Sequence, residues 1–292
     1  MKQSRFIRAI ITISAIVITY FVVTNYLNKH PLLLHQLSSI SILALISIFI
    51  LYVAMFVILL QLFSVTILLC QRTVSFAENL YINGYSIGLN FILPGQAGPL
   101  FRSGYVKRKF GISFKNFLSV TLLYYFFYSL ISFTFVAIGS RSWWQSILCI
   151  VILSWLLLYL MRWYTKKKSL DTEKIAQQKK WTAMLFLLTF VQFSLQTFIY
   201  FIELKAVDYW VSIHQVIAYT GVANLSLFVG LTPAGIGIRE SFLVLSEKIH
   251  QIPTSAIVLA NLIDRSIYII FIITIVIASL VLHQIVKNKE KA

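Results

Sequence analysis

The sequence predicts an all-α, polytopic membrane protein in which six spanning helices and two re-entrant helical hairpins form an inverted repeat. Hydrophobic residues make up 59% of the 292 residues, charged residues only 12%, and the mean hydropathy is +0.84. Soluble domains carry about 25% charged residues. In addition, six segments are apolar over the roughly 20 residues that a spanning helix needs, and two similar Pro-x-x-x-Gly breaks interrupt other apolar stretches.

The six predicted spans lie at about 6–25, 38–70, 113–138, 143–162, 182–204 and 254–284. The longest polar stretch, 163–180, is too short to form a soluble domain. Lys2, Arg5 and Arg8 precede the first span as in a signal peptide, but no small-residue cleavage site follows, so we interpret this span as retained. Residues 1–292 are therefore expected to form a single transmembrane domain.

The distribution of cations predicts the orientation. Of the 25 lysines and arginines, 19 fall in the N-terminus, the region 71–116, the loop 162–180 and the C-terminal tail. Since cytoplasmic loops are rich in Lys and Arg, both termini are predicted to be cytoplasmic in a multi-pass protein of the cell (inner) membrane. Topology thus explains the net charge of +16, and no nucleic-acid partner is expected.

Two stretches of the chain, about 71–112 and 210–253, are predicted to enter the membrane and return to the side from which they came. Each contains an apolar run that ends at a Pro-x-x-x-Gly break, and Pro94 and Pro233 are 139 residues apart. This spacing predicts inverted repeat units at about 1–139 and 143–284, a plan found in many transporters. Because lipid cannot satisfy irregular backbone, the two breaks should line one shared polar cavity.

The first break supplies one set of candidate substrate-binding residues. They are Asn90, Pro94, Gly95, Gly98 and Arg102. Arg102 has no acidic neighbour in sequence, which suits an anionic ligand, because a guanidinium can grip phosphate with two N–H groups. An equally weighted interpretation is that Arg102 reaches the cytoplasmic interface beside Lys107, Arg108 and Lys109.

The second break supplies the other set. Its candidates are Pro233, Gly235, Gly237, Arg239 and Glu240, together with Asp264 and Arg265 in the last span. Ionised side chains at bilayer depth need partners, so these four charged residues are expected to form one buried network. In a packing interpretation, Arg239 pairs with Asp264 and Glu240 with Arg265 only to hold the hairpin. In a functional interpretation, Arg239 and the free N–H groups after Gly237 receive an anionic headgroup.

Signals for catalysis are weak. The five histidines are scattered, and the sequence contains no His-Glu-x-x-His motif and no Asp-rich metal motif. Cys70 and Cys149 both lie in apolar runs, which predicts neither a disulfide nor a metal site. We predict no catalytic residue, no metal site and no cofactor.

The two break motifs together resemble the lysylphosphatidylglycerol synthase transmembrane-region family. The resemblance rests on two motifs in the sequence. They are Asn90-Phe91-Ile92-Leu93-Pro94-Gly95 with Gly98 and Arg102, and Thr232-Pro233-Ala234-Gly235-Ile236-Gly237-Ile238-Arg239-Glu240. The resemblance covers nearly the whole chain and implies translocation of a lipid, such as an aminoacylated phosphatidylglycerol, between leaflets. The first half departs from the family at Pro99, where an acidic residue is usual, and at Tyr124 to Tyr128, which replace a charged cluster.

The leading functional hypothesis is a flippase-like carrier of an anionic or aminoacylated phospholipid or another lipid-linked headgroup. Either downhill exchange or ion coupling could drive it, and Glu240 or Asp264 are the candidate proton carriers. One alternative is a membrane enzyme that modifies a lipid headgroup. Another is an accessory subunit of a lipid or glycan synthase, with a glycosyltransferase, a synthase or a second copy of the chain as partner.

Overall fold

The computed structural model describes residues 40–93, 97–139, 172–229 and 237–289, together with Val151, Trp155 and Gly235. Every regular element within these ranges is an α-helix, which agrees with the predicted all-α class. In chain order the helices are α1 (Ile42–Leu69), α2 (Phe76–Ile92), α3 (Ala97–Phe110), α4 (Phe114–Gly139), α5 (Thr172–Ala206), α6 (Ile213–Ser226), α7 (Ile238–Leu245), α8 (Glu247–His250) and α9 (Thr254–Lys289).

Four of these helices contain stretches long and apolar enough to cross a membrane. They are Ile42–Leu69, Phe114–Gly139, Gln178–Ala206 and Thr254–Leu282, and they coincide with the predicted spans at 38–70, 113–138, 182–204 and 254–284. These four predictions are confirmed in length and composition. The predicted spans at 6–25 and 143–162 lie outside the described residues, apart from Val151 and Trp155.

The first predicted hairpin is a pair of short helices, α2 and α3, joined across the break. The Ser75 hydroxyl caps α2 by accepting from the Glu78 N–H, and α2 ends before Leu93. Three contacts then run antiparallel along the pair: Gly98 against the Ser86 backbone, the Tyr105 hydroxyl donating to Glu78 at 3.0 Å, and Lys109 at 2.9 Å from Glu78. The chain therefore folds back on itself at the break, as predicted; Pro94 and Gly95 lie outside the described residues.

The second predicted hairpin pairs α6 with α7 and α8. A capping box between Ser212 and Gln215 starts α6, and the Gln215 side chain donates to the Gln251 carbonyl at 3.2 Å, which brings the far end of the segment back beside its start. Gly235 and Gly237 have φ angles of +68° and +81°, in the left-handed region that favours glycine. Pro233 lies outside the described residues.

Each hairpin packs on the last long helix of the other half of the chain. Helix α2 lies against α9, where a Cβ added to Gly84 would meet Ser279 and one added to Gly88 would meet Val276. Helix α6 lies against α4, where a Cβ at Gly221 would come within 2.7 Å of the Ser132 carbonyl oxygen. Small residues let helix backbones approach this closely, which is how helices associate in membranes.

The largest hydrophobic cluster joins α1, α5, α6 and α9. It contains the buried tyrosines Tyr52, Tyr200 and Tyr219, whose rings pack among aliphatic side chains. A tyrosine hydroxyl buried in this way needs a polar partner. The partners are the charged and amide groups of the candidate site.

Candidate functional site

Arg239 lies at the centre of a polar cluster between α7 and α9. Its side chain is 8% exposed. It forms an ion pair with the Asp264 carboxylate and donates to the Asn261 side-chain oxygen at 2.6 Å. A weaker contact at 3.5 Å reaches the Tyr200 hydroxyl. A buried guanidinium requires such partners, because an unpaired charge in a low-dielectric interior is strongly destabilising.

Glu240 and Arg265 form the second ion pair of the cluster. The Arg265 Nη2 atom lies 2.9 Å from Glu240 Oε1. The other oxygen of Glu240 accepts from the Gly237 N–H at 2.8 Å and so caps the start of α7. Arg265 thus neutralises this carboxylate, whose burial would otherwise be unfavourable.

The structure therefore brings Arg239, Glu240, Asp264 and Arg265 into one network, as expected, and pairs them as in the packing interpretation. The two pairs are linked, since Arg239 Nε lies 4.0 Å from Glu240 Oε1. Together they tie the start of α7 to α9. A binding role for these residues stays a prediction.

Two members of this network are absent from the sequence-based set. The Tyr52 hydroxyl of α1 donates to Asp264, and Glu203 of α5 lies beside Asp264 and is only 1% exposed. Glu203 carried a signal in the sequence, because it is an acidic residue inside the predicted span 182–204. Tyr52 carried none, since tyrosines are common in the spans of this chain.

Arg102 on α3 has a different environment. Its Nε donates to the Ser86 hydroxyl at 2.7 Å. Within the described ranges no carboxylate lies within ion-pair distance of Arg102, and its nearest electrostatic neighbours are Tyr125 and Tyr124. Burial accordingly lowers the pKa of Arg102, because nothing anionic offsets the loss of water. The side chain does not extend to the cluster of Lys107, Arg108 and Lys109.

Arg102 lines a cavity of about 300 Å³ to which both hairpins contribute. The first hairpin provides Asn90, Pro99 and Arg102, and the second provides Phe228 and Gly235. Side chains from α4 and α5 also line it, namely Tyr124, Tyr125, Tyr128 and Gln192, and Leu59 of α1 and Tyr268 of α9 contribute to the wall. The residues that flank the two breaks thus lie around one space, as predicted for the breaks themselves.

A second cavity of about 220 Å³ adjoins the first and contains the ion-pair network. Arg239, Asp264 and Arg265 line it together with Tyr52 and Tyr200. The two cavities share six wall residues: Leu59, Ile87, Tyr128, Gln192, Leu227 and Tyr268. Polar contacts cross this shared wall, including Tyr128 donating to Asn224 and Tyr124 donating to Gln192. The candidate site is therefore one polar region, with Arg102 of the first hairpin at one end and Arg239 of the second hairpin at the other.

The remaining predicted site residues have structural positions. Gly98 sits where α3 approaches α2, and a Cβ there would lie 2.4 Å from the Ser86 carbonyl oxygen. Gly237 begins α7. Pro94, Gly95 and Pro233 lie outside the described residues. No group of three or more His, Cys, Asp or Glu side chains suited to a metal ion occurs within the described ranges.

Comparison with known proteins identifies one matching family. The family model described as "Lysylphosphatidylglycerol synthase TM region" matches residues 6–276, which is nearly the whole chain. The comparisons with curated proteins and with solved structures gave no match.

Proposed function

The chain belongs to the lysylphosphatidylglycerol synthase transmembrane-region family, and from this premise we propose that it moves a lipid between the two leaflets of the cell membrane. Membership and the apolar helices establish a membrane protein with a lipid-related role. The proposal adds the activity: translocation of a lipid with an anionic or other polar headgroup, without chemical change to it.

The observation that carries the proposal is the shared polar region between the hairpins. A lipid headgroup can cross a membrane only where polar partners replace water along its path. The adjoining cavities offer such partners, with Arg102 at one end and Arg239 and Arg265 at the other. Their combined volume of about 520 Å³, from cavities of about 300 and 220 Å³, is in the range of small-ligand pockets. Acyl chains would stay in the surrounding lipid.

The packing of the hairpins supports the inverted-repeat plan. At about 1.5 Å per residue, the 17-residue α2 and the 14-residue α6 are shorter than a bilayer core of about 30 Å. Both helices then fold back, which is the behaviour of a re-entrant hairpin. Each also packs on the last long helix of the opposite half, which is the partner that an inverted repeat would give it. We propose that the hairpins enter from opposite faces, with both termini in the cytoplasm.

Arg102 is the proposed anchor for the anionic group. Only its Nε is engaged with a protein side chain in the described structure, and the residue lines the first cavity. A phosphate could accept from both of them in the bidentate geometry that arginine favours. Arg239 and Arg265 are already paired with carboxylates. In the described conformation they would therefore attract the lipid anion electrostatically rather than donate hydrogen bonds to it.

Lipid exchange in reconstituted vesicles tests the proposal. A fluorescent anionic phospholipid in the inner leaflet should reach the outer leaflet with the wild-type protein, where a membrane-impermeant reductant quenches it. Arg102→Gln should slow exchange about tenfold or more, because a hydrogen bond to a charged group contributes roughly 1.5–3 kcal/mol. Arg108→Gln is the matched control, since Arg108 lies on the same helix but is exposed, and it should exchange normally.

The same assay separates the alternatives. Chemical turnover of the headgroup without exchange would support an enzyme that modifies lipids. Neither turnover nor exchange, together with a synthase or glycosyltransferase that co-purifies with the chain, would support an accessory subunit. Equal slowing by Arg102→Gln and Arg108→Gln would contradict the role assigned to the cavity.

A further inference from the structure

Two carboxyl groups meet in the interior beside a single arginine. Glu203 of α5 and Asp264 of α9 are each 1% exposed and lie close enough to interact electrostatically. Two carboxylates can both only accept, so they can share a hydrogen bond only when one of them holds a proton. Glu203 Oε1 is buried and has no hydrogen-bond partner within the described ranges, whereas Asp264 accepts from Tyr52 and from Arg239.

The charges around this carboxyl pair do not balance without a proton. The charged and titratable groups that face it within the described ranges are Tyr52 on α1, Tyr200 on α5, Tyr219 on α6, Arg239 on α7, and Arg265 and Tyr268 on α9. Together with Glu240, which pairs with Arg265, three acids share two arginines in this part of the structure, so one negative charge has no cation. Tyrosine hydroxyls add no positive charge. A surplus buried negative charge is strongly unfavourable.

We infer that Glu203 and Asp264 form a proton-binding site beside the second cavity, which Asp264 lines. Asp264 stays ionised, since Tyr52 and Arg239 stabilise its charge, and Glu203 holds the proton and donates it to Asp264. Glu240 is not part of this site, because its two oxygens are taken by Arg265 and the Gly237 N–H. Of the two proton carriers expected from the sequence, the structure favours Asp264 and adds Glu203.

The site would couple protons to lipid movement if the proposed function holds. An anionic headgroup that accepts hydrogen bonds from Arg239 would take the place of Asp264 on the guanidinium. The released carboxylate would then take up a second proton from water in the cavity, and would return it when the lipid leaves. Binding one lipid anion with one proton keeps the buried charge constant, as in carboxylate relays of membrane transporters.

Infrared spectroscopy of the lipid-free protein tests the site itself. At neutral pH the wild type should show the C=O stretch of a protonated carboxylic acid, shifted in D₂O, although isolated Asp and Glu ionise near pH 4. Glu203→Gln should remove this band, because the amide replaces the acid and keeps its shape. Asp208→Asn, which alters an exposed acid just after α5, should retain it. Absence of the band in the wild type, or its survival in Glu203→Gln, would overturn the inference.

Vesicle exchange under an imposed pH gradient tests the coupling separately. The gradient should bias the direction of exchange of the fluorescent anionic phospholipid in the wild type. Asp264→Asn should remove this bias, since its amide cannot take up the second proton, whereas Glu203→Gln should retain the bias because Glu203 keeps its proton throughout. A gradient effect that is absent in the wild type or unchanged in Asp264→Asn would refute the coupling. Loss of all exchange would instead reject the proposed function, while the infrared result would stand on its own.

Discussion

The arginines of the two hairpins occupy opposite ends of one polar region but have opposite kinds of surroundings. Arg239 is neutralised by Asp264, hydrogen-bonded to Asn261 and packed against the Tyr200 ring. Arg102 has one hydroxyl partner and lines the first cavity. A cation already paired holds the fold, whereas a cation without an anion can attract one. In the lipid-free protein, the difference assigns stability to the second hairpin and the first attraction of an anionic ligand to the first hairpin.

Removing the acid that pairs with Arg239 should have the largest effect. Asp264→Ala would leave a guanidinium buried without its counter-charge, and such losses lower the free energy of unfolding by about 3–5 kcal/mol. Chemical unfolding in mixed micelles would measure this change.

A double variant sharpens the same test. Arg239→Met combined with Asp264→Ala removes both charges and should be less destabilised than Asp264→Ala alone, which gives a clear non-additivity. If the single and double variants were equally unstable, the ion pair would not be what holds α7 against α9.

The packing of the two hairpins predicts a smaller difference. A Cβ at Gly221 on α6 would meet the Ser132 carbonyl oxygen and the Val136 nitrogen at 2.7 Å, both backbone atoms of α4. A Cβ at Gly88 on α2 would meet only a Val276 methyl group, at 2.8 Å. We expect Gly221→Ala to lower the free energy of unfolding by about 1–3 kcal/mol, and Gly88→Ala to lower it less.

Gly104 provides the control for this pair. A Cβ there meets nothing within 4 Å, so Gly104→Ala should be neutral or stabilise α3 by up to about 1 kcal/mol through helix propensity. Equal losses in Gly221→Ala and Gly104→Ala would show that close approach of α6 and α4 is not the cause.

The hydroxyl that holds Arg102 should matter least for stability. Ser86→Ala removes the bond at 2.7 Å to Arg102 Nε, and we expect a loss of about 1 kcal/mol, typical of one hydrogen bond. Lipid exchange should nevertheless slow, since the guanidinium would lose its orientation. If Ser86→Ala lowered the free energy of unfolding as much as Asp264→Ala, the conclusion that Arg239 contributes more to stability than Arg102 would be wrong.

Much of the architecture could be predicted from local features of the chain. Helices such as α1 and α4 follow from uninterrupted apolar composition, and the turn back after α2 follows from the Pro and Gly residues of the break. Four members of the charged network, Arg239, Glu240, Asp264 and Arg265, were also predictable, because ionised side chains at bilayer depth need partners. Their pairing was one of two interpretations, and sequence alone did not choose between them.

The position of Glu203 beside Asp264, and the lack of an acidic partner near Arg102 in the described structure, could not be predicted from local features of the sequence. Glu203 is 61 residues from Asp264, and only the packing of α5 beside α9 brings the two acids together. Arg102 could as well have extended to the interface. Its direction follows from the close contact of Gly98 with Ser86, which holds α3 against α2.

The sequence by itself determined the membrane class, the helices that can span, the two breaks and the family. These depend on composition and short-range order, which each segment carries alone. The tertiary structure decided which arginine is neutralised, which acid completes the carboxyl pair and how the two cavities adjoin. Those outcomes depend on which helix faces meet, and close packing at glycines such as Gly84 and Gly221 sets those faces across long separations in the chain.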